Sequence, residues 1–193
     1  NRPDLFDEVI SFVGASYFRV LGQGNAYRLS SRGLAINTGM SKAEEFPRFT
    51  SFWLEKPTPG AETVVVYAAL DSASVTGAYR FVISPGIETT VDVTARLFVR
   101  AEVEELGIAP LTSMFWYGKN NHFVGPDWRP EIHDSDGLEM QLARGGRIWR
   151  PLNNPPRGMA NSFRADGLMG FGLAQRERSF EQYQDDGVFY EKR

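Results

Sequence analysis

Ten residues limit this chain more than any others. From Val91 to Arg100, Val91, Val93, Ala95, Leu97 and Val99 alternate with Asp92, Thr94, Arg96, Phe98 and Arg100. Side chains on a strand point to opposite faces in turn, so this period of two predicts a long strand with one buried face. A helix would scatter the same residues around its axis. Thr63 to Leu70 (TVVVYAAL) is β-branched and apolar throughout, which predicts a strand covered on both faces. Ala78 to Ile83 predicts a third strand, turned toward the long one by Ser84-Pro85-Gly86. Leu138, Met140 and Leu142 alternate before Arg144-Gly145-Gly146, which predicts a hairpin into Arg147–Arg150. Ser162–Ala165, Asp166-Gly167 and Leu168–Gln175 predict a second hairpin.

Helix signals are short. Leu5, Val9 and Phe12 fit one amphipathic helix at the start. Ser41-Lys-Ala-Glu44 and Ser179-Phe-Glu-Gln182 have the capping-box pattern, and Glu102–Leu106 before Gly107 fits another turn. The expected fold is an all-β antiparallel sandwich with a few short helices, forming a single domain over residues 1–193. The long loops 120–130 and 153–158 are where a β scaffold commonly carries its site.

Composition removes several function classes. A net charge of −3 with interspersed signs lacks the basic footprint of a nucleic-acid binder. Absence of cysteine removes disulfides, thiolate metal sites and cysteine nucleophiles. No apolar run approaches the ~18 residues of a membrane span. The chain opens at Asn1 without methionine and is expected to be a processed or excised piece. Aromatic residues make up 13%, and several adjoin arginines: Tyr79-Arg80, Trp128-Arg129 and Trp149-Arg150. Such pairs suit the apolar faces and polar rims of sugars, although packing in a β core is the better explanation for most of the aromatics.

Glu131-Ile-His-Asp-Ser-Asp-Gly-Leu-Glu-Met140 crowds four acids and one of two histidines into ten residues. It reads as a solvated turn, a metal loop or an acid–base site. The calcium-loop spacing begins at Asp134-Ser-Asp136-Gly137 but fails at Leu138 and Gly145. His122 and His133 lack a third zinc ligand at a supporting spacing. Gly22-Gln-Gly24 is followed by Tyr27 rather than glycine, and Gly14-Ala-Ser16 lacks the closing glycine of a nucleophile elbow. Neither a metal nor a cofactor is expected. Acid–base chemistry by carboxylates remains, with Asp134 the leading candidate beside His133 and Ser135.

Eight segments carry a resemblance in order: Gly14–Arg19, Ser31–Ile36, Glu45–Phe49, Thr76–Val82, Gly107–Phe115, Arg129–Gly137, Ile148–Asn154 and Gly170–Arg176. Together they resemble the osmoregulated periplasmic glucan biosynthesis proteins, types G and D, over essentially the whole chain. The resemblance implies a sandwich of the galactose-mutarotase type, a periplasmic location and a β-1,2-glucan ligand. Some members resemble inverting endo-β-1,2-glucanases. That pattern implies Asp134 as general base and Tyr190 as proton relay, with the general acid further along the chain than Arg193. Tyr117, Trp128 and Trp149 are candidates for stacking on glucose, and Arg48, Arg129, Arg150 and His133 for polar substrate contacts. A non-catalytic glucan-binding scaffold is the alternative. Exposed sheet edges would favour homo-oligomers or pairing with parts of the protein outside these residues.

Overall fold

The computed structural model describes residues 8–122 and 125–192. The fold is all-β and antiparallel, of the sandwich class the alternation predicts. It divides into two compact units, Asn1–Pro110 and Leu111–Arg193.

In the first unit, β1 (Ile10–Phe12), β2 (Tyr17–Val20) and β3 (Ser30–Arg32) are neighbours in one sheet, and β4 (Leu34–Ile36) begins two residues further on. The long strands β5 (Arg48–Leu54), β6 (Val64–Asp71), β7 (Val75–Ser84) and β8 (Thr90–Val99) form a meander in sequence order. β9 (Leu106–Ile108) pairs with β4. Phe18, Leu34 and Ile36 pack against Ala68, Leu70, Val75, Tyr79, Phe81 and Ile83 in one core. Phe81 is wholly buried, and Phe12, Phe18 and Phe49 meet it edge-on at 5.3 to 5.8 Å. Burial of each such ring contributes about 1.5–3 kcal/mol. The Tyr79 hydroxyl donates to the Gly33 carbonyl at 2.8 Å, and burial pushes its pKa up to about 12.

Several local expectations give way to tertiary pairing. β6 is fully covered on one face only: Ala68 and Leu70 are buried while Tyr67, on the opposite face, is exposed. β8 is an edge strand, and of its apolar face Val91 and Leu97 meet the core whereas Val93 and Val99 remain exposed. Val9 and Phe12 belong to extended chain, Ile10 pairing with Val20, and Leu5 lies outside the described residues. Ser41–Glu44 forms no helix, because Glu44 Oε1 accepts from Arg32 Nη2 at 2.6 Å and from Thr38 Oγ1 at 2.8 Å. Leu106 and Gly107 enter β9 instead of a helical turn. Gly107 fits closely there: a Cβ would stand 3.0 Å from that of Ala35.

The second unit holds β10 (Leu111–Thr112), β11 (Phe115–Tyr117), β12 (Ile132–His133), β13 (Gly137–Leu142), β14 (Arg147–Pro151) and β15 (Leu168–Ala174). The predicted hairpin is present: β13 and β14 pair from Gly137↔Pro151 to Gln141↔Arg147, with Arg144 and Gly145 left-handed in the turn. The second predicted hairpin is not. Leu168–Ala174 pairs with β13, Gly137 facing Ala174, and Ser162–Ala165 forms no strand. One helical turn, α1 (Phe180–Tyr183), follows Ser179, whose side chain makes no capping bond.

Candidate functional site

The acid-rich segment lies between β12 and β13 and is anchored on both sides. β12 pairs with β11, Phe115 opposite His133. The Asp134 amide donates to the Met114 carbonyl at 2.7 Å, and the Asp136 amide donates to the Ala174 carbonyl at 2.9 Å. Asp136 Oδ2 accepts from the Arg176 amide at 2.7 Å, so this carboxylate ties down the chain beyond β15.

This anchoring sorts the acids by access. Glu131 and His133 are 4% and 0% exposed, and Ile132 and Ser135 are also buried. Asp134 alone in Glu131–Ser135 retains partial access to solvent. The cluster is therefore not a solvated turn, and Glu131 is no surface acid. Burying a carboxylate is unfavourable unless it is hydrogen-bonded. Here Glu131 Oε2 stands 2.8 Å from His133 Nε2, and the Lys119 ammonium stands 3.7 Å from Oε1. A carboxylate only accepts, so the network assigns the His133 proton to Nε2 and leaves Nδ1 as acceptor. Nδ1 faces the Tyr183 hydroxyl at 3.5 Å. Gln175 Nε2 donates to the same hydroxyl at 2.8 Å. Phe115 stacks on the imidazole at 5.1 Å, and Tyr183 stacks on Tyr190 at 3.7 Å between ring centroids.

Ligand atoms of Glu131, His133 and Asp136 lie within 4.8 Å of one another, a spacing open to a divalent cation. Such an ion would have to displace the Glu131–His133 bond. His122, the other histidine weighed from the sequence, is not in this group; its ring meets Tyr117 edge-on at 6.5 Å.

The remaining candidates fall in different places. Tyr117 is 2% exposed and donates its hydroxyl to the Arg129 carbonyl at 3.0 Å, while burial raises its pKa. With no open face it supports the Arg129 loop rather than offering a stacking surface. His133 is likewise buried. Arg129 is clamped by Asp127, with Nε and Nη2 donating at 2.9 and 2.7 Å, and by Asp185 at 3.0 Å. The arginine's hydrogen bonds hold the Asp127 carboxyl down to about 2. Trp128 is 74% exposed, with Nε1 donating to the Gln184 carbonyl at 3.2 Å and Arg129 over its ring at 5.5 Å. Arg150 is exposed, its guanidinium 4.6 Å over the Phe163 ring. Arg48 opens β5 in the first unit, opposite Asp71, and is also exposed.

Trp149 is half-buried and walls two clefts. One of about 580 Å³ is bordered by Glu139, Arg147, Trp149 and Arg176; another of about 180 Å³ reaches Asp136 and Lys119. Asp134 lines neither cleft. Residues the sequence reasoning missed are Tyr183, Gln175, Asp127 and Asp185. Only Asp127, two positions before Arg129 in a long loop, left a local signal.

These features define an all-β protein of antiparallel sheets with a partly exposed aspartate set among buried acid, histidine and tyrosine groups. The chain belongs to the MdoG family of periplasmic glucan biosynthesis proteins, whose family model matches residues 1–193. It is 57% identical over its full length to glucans biosynthesis protein G of Cereibacter sphaeroides, covering 36% of that protein. It is 57% identical over 186 residues, or 96% of the chain, to the probable glucans biosynthesis protein D of Shewanella oneidensis, covering 34% of it. Protein G of Ralstonia nicotianae is 55% identical over the full chain, which covers 38% of that protein. The chain thus spans little more than a third of the curated relatives it matches.

Proposed function

We propose that this chain forms part of a periplasmic protein that hydrolyses β-1,2-linked glucan with inversion during glucan synthesis or remodelling. The observation that carries this reading is the selective access of Asp134. Its neighbours on both sides are buried, its backbone is held, and Asp134 itself is only partly buried. A general base needs that combination of fixed position and open approach. Water attacks the anomeric carbon and passes its proton to Asp134, with Tyr190 as relay. A carboxylic acid on the opposite face protonates the leaving oxygen. Trp149 and Trp128 are the aromatic surfaces for glucose rings, and Arg129, Arg150 and Arg48 the hydroxyl contacts.

The test is reducing-end release from linear β-1,2-glucan by the whole protein, with the product anomer followed by polarimetry. The expected result is cleavage with inversion, abolished in Asp134→Asn while glucan binding persists. Cleavage that survives Asp134→Asn removes Asp134 from the mechanism. Binding by the wild type with no cleavage leaves the protein as a glucan-binding scaffold.

A further inference from the structure

We propose that Tyr183 is a positioning residue that holds the ring of Tyr190 in place, itself fixed by a buried chain running through His133 to Glu131. The inference rests on the reading of Tyr190 as proton relay, and it adds a part that reading does not contain. Tyr190 lies in a short 3-10 turn, Tyr190–Lys192. The Lys192 amide donates to the Phe189 carbonyl at 2.9 Å and closes the turn. So short a turn does not by itself fix a side chain to the fraction of an ångström that proton transfer requires.

Packing supplies what the turn lacks. Tyr190 is 3% exposed, and its ring lies nearly parallel to that of Tyr183, 13° apart with centroids at 3.7 Å. The Tyr183 ring is set in turn by its hydroxyl. Gln175 Nε2 donates to it at 2.8 Å, and His133 Nδ1 lies 3.5 Å from it. That acceptor exists because Glu131 takes the hydrogen of Nε2 at 2.8 Å. His133 is clamped face-on by Phe115 at 5.1 Å and meets Tyr183 edge-on at 5.2 Å. Glu131, His133 and Tyr183 are each at most 4% exposed, as buried as the Tyr190 ring they support. Histidine–carboxylate pairs that fix a tautomer serve to orient the next group along. The next group here is Tyr183, and Tyr190 follows it.

Two variants of the whole protein test this. Tyr183→Phe keeps the stacked ring and removes the hydroxyl; Tyr183→Leu removes the stack. With Tyr183→Leu, kcat is expected to fall about 10²-fold, the scale of an ångström-sized misplacement, with KM changed less than twofold. Tyr183→Phe should lie between it and the wild type. Glu131→Gln, which keeps an acceptor for Nε2, should retain more activity than Glu131→Ala. Independently of activity, ring-proton NMR signals of Tyr190, assigned through Tyr190→Phe, should move in Tyr183→Leu because the stacked ring current is lost. Unchanged kcat, a change confined to KM, or unmoved Tyr190 signals would each overturn the proposal. A wild-type protein without glucanase activity would sink the relay reading alone; the NMR arm still decides whether Tyr183 positions Tyr190.

Discussion

Gly137 closes the acid-rich motif and begins β13, and its replacement by alanine tests how tightly the site is packed. A Cβ at this position would stand 2.5 Å from Trp149 Cζ2 and 2.7 Å from the Arg150 carbonyl oxygen. The lower bound of ordinary contact is 3.4 Å, so the tryptophan ring would have to retreat by about 0.9 Å. The carbonyl cannot yield independently, since β14 is paired with β13 along its length, Leu138 facing Arg150. Forced overpacking of this kind costs about 1–3 kcal/mol. In Gly137→Ala the urea midpoint should fall accordingly at unchanged m-value, and tryptophan emission should change as Trp149 leaves its position. Glucan affinity should fall with it if Trp149 is a stacking surface. A loss below about 0.5 kcal/mol with unchanged emission would refute the steric argument, because ordinary surface substitutions reach only that size.

Other perturbations separate the core from the site. Phe81→Ala should destabilise the first unit by about 3–5 kcal/mol, measured by chemical denaturation, since Phe81 is wholly buried under several aromatic rings. Tyr79→Phe strands the Gly33 carbonyl and should cost about 1–3 kcal/mol. The raised Tyr79 pKa means that the folded state favours the protonated phenol. Its contribution is full below pH 10 and lost as pH rises toward about 12, which ultraviolet titration of tyrosinate would follow. The lowered Asp127 pKa has the opposite sense. Its contribution is full above the unfolded value near 3.8 and is lost as pH falls toward about 2, so carboxyl NMR should give a midpoint near 2 that returns toward 3.8 in Arg129→Ala.

The alternation from Val91 to Arg100 and the β13–β14 hairpin were legible in the sequence because both are local. A period of two and a glycine turn are set by neighbouring residues, and they suffice to call for antiparallel strands. The family resemblance rested on ordered motifs and needed no coordinates. Tertiary structure alone decided which faces those strands bury. Val93 and Val99 stay exposed because β8 is an edge, and Tyr67 because β6 is fully covered on one side only. Pairing across about 70 residues makes a strand of Leu106–Ile108 where local signals favour a helical turn. The site divides the same way. Asp134 stood out in its own segment, but its distinction from the equally acidic Glu131 is one of burial, which no local pattern encodes. Tyr183 reaches His133 across 50 residues of sequence, and only the folded chain places a hydroxyl there.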